Sequence, residues 1–125
     1  MHELLEAAGT VMDDVVALRR DLHQNPELGL DNPRTQAMVL AALDGLPVDI
    51  RTGDGLTSVV ADLTGTTDGP TVLLRADTDA LPMTEDTDLD FRSAVDGRAH
   101  ACGHDAHTAM LVGAAKVLAA RRDEV

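Results

Sequence analysis

The sequence predicts an α/β fold, and three observations carry the prediction. Apolar residues recur at helical spacing over the first 43 positions, the pattern changes at Val48 to short β-branched runs, and helical spacing returns after Asp105. Helices on either side of a group of strands give the layers that such a fold packs around one core. The chain has 125 residues, 44% of them hydrophobic, which suffices for a single core. Phe91 is the sole aromatic residue, so that core must be built from Leu, Val, Ala and Met.

In the first element, Leu4, Leu5, Ala8, Val11, Met12, Val15, Val16, Leu18 and Leu22 recur as one helical stripe. Glu3 and Glu6 stand near its start and Arg19 and Arg20 near its end, as the helix dipole favours. The stretch "HQNPELG" stops this helix, because Pro26 cannot continue the ladder and pushes Asn25 out of helical geometry; His23 reads there as a simple cap. Asn32 is the expected N-cap of a second helix, with Pro33 at its first position, an end near Leu43 and Gly45 closing it. "VDIRT", "TSVVADL" and "TVLLRAD" then read as strands. The apolar run from Val72 to Leu74 suits a strand covered on both faces, ending in the acidic "DTD". Thr84 to Arg98 reads as a long loop leading to "HACGHD". A third helix follows, with Asp105 as N-cap, a stripe of Met110, Leu111, Ala114, Val117 and Leu118, and Arg121 and Arg122 in the last turn. There are no internal repeats or low-complexity runs, and an ending just after a helix reads as a truncation.

Composition argues against several partners. Acidic residues outnumber basic ones 22 to 10 for a net charge of −12, which opposes the phosphate contacts of nucleic-acid binding, and one aromatic residue supplies no stacking platform. No stretch approaches the roughly 18 unbroken apolar residues of a membrane span, so no membrane partner is expected. The acidic, amphipathic N-terminus lacks the features of a signal peptide and a single cysteine cannot form an internal disulfide, which makes the cytoplasm the expected compartment.

The segment "AHACGHDAHTAMLVGAA" holds the strongest chemical signal, with His100, Cys102, His104, Asp105 and His107 within eight positions. Cys102 and His104 are two apart, so in a turn preceding a helix both can face one point, and thiolate with neutral imidazole suits Zn or another late first-row divalent ion. A closed zinc site needs four ligands, so the local pattern is at most half a site. Asp77 and Asp79 alternate by two and would share one face of an extended chain, where a carboxylate can ligate a metal or hold a ligating histidine by its other ring nitrogen. A solvated acidic strand end is the competing reading. His100 reads as a loop hydrogen-bonder and His107 as a solvent-facing residue of the first helical turn. "GDGLTS" at Gly53 lacks the third glycine and the following helix of a dinucleotide fingerprint. A cysteine nucleophile at Cys102 is disfavoured, because its base would normally come from a separate part of the fold.

"RRDLHQNPELGL", "LLRADTDALPMTE" and "GRAHACGHDAHTAMLVGAA", in this order and spacing, closely resemble the N-terminal part of the metal-dependent amidohydrolases of the aminoacylase and carboxypeptidase G family. The likeness is to the hippurate hydrolase-like branch, which includes N-acyl-amino-acid and indoleacetyl-amino-acid amidohydrolases, and it runs from about Leu18 to Leu118. It implies that residues 1–125 are the N-terminal portion of a three-layer α/β/α di-metal hydrolase catalytic domain. The dimerisation domain and the rest of the catalytic domain would be absent. Cys102 and His104 match the family's first two metal ligands, and Asp79 matches its supporting aspartate. The general base and the remaining ligands are expected downstream of Val125. The resemblance further implies two divalent ions (Zn, Mn, Co or Ni), an N-acyl amino acid substrate, a homodimeric full-length protein, and little activity in this portion alone. Two departures, Asp31–Asn32 where the family usually carries an acidic pair and Ala99 where it usually carries methionine, touch no ligand. The alternative reading is a non-catalytic metal-binding or interaction module.

Overall fold

The computed structural model describes residues 2–125. Its elements are α1 (His2–Thr10), α2 (Met12–Gln24), α3 (Pro33–Leu43), β1 (Asp49–Thr52), β2 (Val59–Asp62) and α4 (His104–Ala120), with a single 3-10 turn at Arg122–Glu124. The fold is α/β, as expected, with four helices and a small antiparallel sheet in which Asp49 faces Asp62 and Thr52 faces Val59.

The helical stripe over the first 24 residues is divided between two helices. The chain leaves helical geometry at Val11 (φ −104°, ψ 0°), where the Thr10 hydroxyl turns back onto the Ala7 carbonyl at 2.7 Å. A hydroxyl that bonds its own preceding turn competes with the helical ladder, and Gly9 beside it is a poor helix former. The corner lets α1 and α2 each lie against α4.

The core is small and sits between α2, α3 and α4: Leu18, Leu22, Leu43, Ala109 and Val112 are buried, with Val15, Met38 and Val39 packed around them. The buried face of α4 is not the expected stripe. Thr108, Ala109, Val112 and Gly113 face inward, whereas Met110 is exposed and Leu111, Ala114, Val117 and Leu118 are half-buried. The rotation brings the smallest residues of α4 against α2. A Cβ placed on Gly113 would lie 2.6 Å from Val15 Cγ2, so only glycine permits this helix separation.

α3 has the expected bounds with Asn32 at its N-cap position, but the Asn32 side chain makes no capping hydrogen bond. The Asn32 amide donates to the Gly29 carbonyl at 2.9 Å and to Thr78 Oγ1 at 3.1 Å. The free N–H groups of Arg34 and Thr35 instead reach the Glu27 carboxylate at 3.1 and 2.7 Å. That cap also fixes the next contact, because the Glu27 carbonyl accepts the Ala80 N–H at 2.7 Å.

Residues 71–79 are the main departure from the sequence reading. "TVLLRAD" is not a strand: among the described residues nothing pairs with it, and Val72, Leu73 and Leu74 are 76%, 85% and 52% exposed. A β-prone run becomes a strand only where another backbone satisfies its polar groups, so propensity alone cannot decide it. Order resumes at two isolated bridges, Leu28 with Ala80 in parallel and Leu81 with Ala99 antiparallel. No helix among the described residues is long and apolar enough to cross a membrane.

Candidate metal centre

The Leu81–Ala99 bridge assembles the site. Its two N–H···O bonds, 2.9 and 3.0 Å, bring the end of "RADTDA" beside the start of "AHACGHD" although the loop from Thr84 to Arg98 separates them. Beyond Ala99 the chain turns, with the Gly103 N–H on the His100 carbonyl, and Gly103 takes φ +85° before α4 begins. A side chain at that left-handed position would be strained. Gly103 thus caps α4, and Asp105, expected as the cap, sits one residue inside the helix beyond His104.

Two residues near the start of α4, His104 and Thr108, grip the acidic segment. Thr108 Oγ1 donates to the Asp77 carbonyl at 3.1 Å. His104 Nδ1 lies 2.8 Å from the Asp79 carbonyl and 3.0 Å from Asp79 Oδ1. A main-chain carbonyl can only accept, so Nδ1 must carry the proton and Nε2 of the neutral ring presents a lone pair. The expected shared face of the two side chains is not formed: Asp77 meets α4 through its carbonyl, and only Asp79 through its carboxylate. The Asp77 carboxylate turns away to an exposed ion pair with Arg75.

His104 is half-buried, its side chain 18% exposed, and the Cys102 thiol is free and exposed. An imidazole oriented by a carboxylate at one nitrogen and open at the other is the usual form of a histidine ligand. With a thiol two residues away, the donor set fits a late first-row divalent ion. Among the described residues, no three His, Cys, Asp or Glu side chains come together as a possible metal cage, so the pair alone would fill at most part of a coordination sphere. His107 is exposed as expected, with its ring 6.1 Å from that of His104.

Beneath this pair lies a buried polar cluster that sequence reasoning missed. His23 is not a simple cap: it is buried, with Nδ1 2.6 Å from Asp105 Oδ2 and Nε2 3.1 Å from Glu85 Oε1. Arg19 Nε joins the same Asp105 oxygen at 2.9 Å. Glu85 also accepts the Ser93 N–H at 2.6 Å and the Thr87 hydroxyl at 2.7 Å. Burial works to raise the Glu85 carboxyl, but the Ser93 and Thr87 hydrogen bonds and the His23 ring outweigh it and lower its pKa from 4.5 to about 2. His100 is not a loop hydrogen-bonder either; it is 5% exposed, and neither ring nitrogen has a hydrogen-bond partner among the described residues. Burial pushes its imidazole below the ordinary value, against the opposing charge of Asp105. A helical-position signal existed for Asp105 alone, an acid in a first turn; its partners lie up to 82 residues away.

Residues 73–125 match the model of peptidase family M20/M25/M40, a span that holds Asp79, Cys102 and His104. Thermostable carboxypeptidase 1 of Saccharolobus solfataricus is 46% identical over 114 residues, covering 90% of this chain and 29% of that protein. The chain thus matches the M20 peptidase family over residues 73–125 and is similar to this carboxypeptidase over most of its own length. A further relative, N-acetylcysteine deacetylase of Bacillus subtilis, is 44% identical over 89% of this chain and 30% of its own length. The crystal structure of Bacillus subtilis YxeP, a dinuclear metal-binding peptidase of the M20 family, superposes with a TM-score of 0.87 at 41% identity, over 94% of this chain and 33% of that one. The chain therefore spans about a third or less of the length of these relatives, and its fold corresponds to the N-terminal part of the M20 catalytic domain.

Proposed function

We propose that this chain forms the N-terminal part of the catalytic domain of a metal-dependent amidohydrolase that cleaves the amide bond of N-acyl amino acids, of the hippurate hydrolase and aminoacylase type. The observation that carries the reading is the His104 ring, held by Asp79 at Nδ1 and open at Nε2, with Cys102, whose thiol is free and exposed, two residues earlier in the turn before α4. Cys102 and His104 are the ligands this chain contributes, and Asp79 is a positioning residue that keeps the proton on Nδ1. Two divalent ions, drawn from Zn, Mn, Co or Ni, supply Lewis acidity toward an amide carbonyl and toward water. The Asp79 carboxylate strengthens His104 as a donor, and the thiolate adds a negative charge that favours cations at the site. A deacetylase of N-acetylcysteine and a carboxypeptidase among the relatives support an amide of an amino acid as the bond cleaved. The cytoplasm and a homodimeric whole protein complete the proposal.

Because the described residues gather no third ligand around the pair, the 125-residue chain on its own is expected to bind metal weakly and to leave amides intact. The test is an assay on hippurate and N-acetyl-methionine with added Mn, Zn, Co or Ni, beside calorimetric metal titration, on this chain and on the protein encoded by its complete reading frame. The complete protein should release free amino acid, lose that activity to a chelator and regain it with metal. Activity that persists in a metal-stripped protein would overturn the proposal.

A further inference from the structure

The cluster beneath the candidate ligands joins three segments distant in sequence. Asp105, 1% exposed, directly follows His104 in the first turn of α4, and its Oδ2 takes both His23 Nδ1 and Arg19 Nε from α2. The other nitrogen of His23 meets Glu85 of the long loop. Phe91 stands edge-on to the His23 ring at 5.5 Å, and the His100 ring lies 6.4 Å away. Both ring nitrogens of the buried His23 are thus engaged by carboxylate oxygens, which ties α2 to α4 and to the long loop at one point.

We infer that His23 is a positioning residue for His104: its bond to Asp105 fixes the first turn of α4 and so keeps His104 Nδ1 on Asp79. Consecutive residues of one helical turn move together, so a displacement of Asp105 carries His104 with it. Without the His23 bond, Asp105 keeps Arg19 Nε on the same oxygen and α4 keeps its packing on α2, but the orientation of the first turn then rests on that one ion pair and on contacts to an irregular segment, residues 77–79, that lacks strand partners. The role is independent of substrate, and its functional meaning rests on the proposal that His104 binds metal.

Two substitutions separate the contacts. The side-chain nitrogen of Asn falls near the position of His Nδ1, and that of Gln near His Nε2. His23→Asn therefore keeps the donor toward Asp105 and gives up Glu85, whereas His23→Gln does the reverse. Histidine nitrogen NMR on the chain reads the consequence directly. In the parent chain His104 should show a protonated Nδ1 with a bare Nε2. His23→Asn should keep that His104 tautomer, and His23→Gln should turn it into an averaged one. Cobalt(II) titration of the same samples should show about 10- to 100-fold weaker binding in His23→Gln, the size of effect expected when a ligand loses its support. An unchanged His104 tautomer in His23→Gln would overturn the inference. So would equal loss of the tautomer, or of the fold, in both variants, since the Asp105 contact would then not be the decisive one. If cobalt left the His104 Nε2 signal untouched in every sample, the metal proposal would fail while the tautomer comparison still decided the positioning role.

Discussion

Replacing Glu85 by Gln should remove a pH-dependent part of the chain's stability whose size follows from the structure. The carboxylate is held by the Ser93 N–H, the Thr87 hydroxyl and the His23 ring, with its side chain 9% exposed. The fall of its pKa from 4.5 to about 2 corresponds to about 3 kcal/mol, at ~1.4 kcal/mol for each tenfold change in proton affinity. Hydrogen bonds to a charged group, typically about 1.5–3 kcal/mol each, are of the right size to supply it. A folded-state pKa below the unfolded one means that the carboxylate stabilises fully above about pH 4.5 and ceases to do so as pH falls through about 2. Urea denaturation of the parent chain and Glu85→Gln from pH 7 to pH 2 measures the difference directly. The parent should be more stable by about 3 kcal/mol at pH 7, and the gap should close across pH 4.5 to 2. Because the other acidic residues are common to both proteins, their titration cancels in the comparison. A gap that stays constant with pH, or none at pH 7, would refute the electrostatic account of this loop.

Gly113→Ala should destabilise the α2–α4 contact, the overpacking cost of about 1–3 kcal/mol against Val15 exceeding the roughly 1 kcal/mol gained in helix propensity, and adding Val15→Ala should restore stability in a double-mutant cycle. In cobalt(II) absorption titrations, Cys102→Ser should abolish the thiolate-to-metal charge-transfer band, because a hydroxyl is a poor ligand for such ions, while Asp79→Asn should keep the band and weaken binding by about 10- to 100-fold. The exposed run Val72–Leu74 should promote self-association, so Leu73→Asp should lower the weight-average mass in sedimentation equilibrium without changing the helical circular dichroism.

Local chemistry was enough to read α3, since Pro33 and Gly45 mark its ends by backbone geometry alone, and the positive φ of Gly45 agrees. β1, β2 and the turn before α4 were legible for the same reason, as was the proximity of Asp79 to His104 once the family motifs were seen. What escaped depends on partners that no local window contains. The α4 stripe was misjudged because bulk suggested Met110 and Leu111, whereas close approach to α2 selects Ala109 and Gly113. Asp105 looked like a cap because the acid preference at helix starts is general, but α2 supplies it with Arg19 and His23. "TVLLRAD" has the composition of a buried strand, and pairing is a property of neighbours that composition does not record.

The Leu81–Ala99 bridge turns the two ends of a long loop into one cooperative unit. Closing a loop of this kind costs conformational entropy that grows only slowly with its length, and here two backbone hydrogen bonds and the Glu85 anchors oppose it. Opening that unit separates Asp79 from His104 without unfolding the helical core. The Leu81 and Ala99 amides are therefore natural reporters: their rate of hydrogen exchange, relative to that of Val112 in the core, measures how often the two halves of the site come apart.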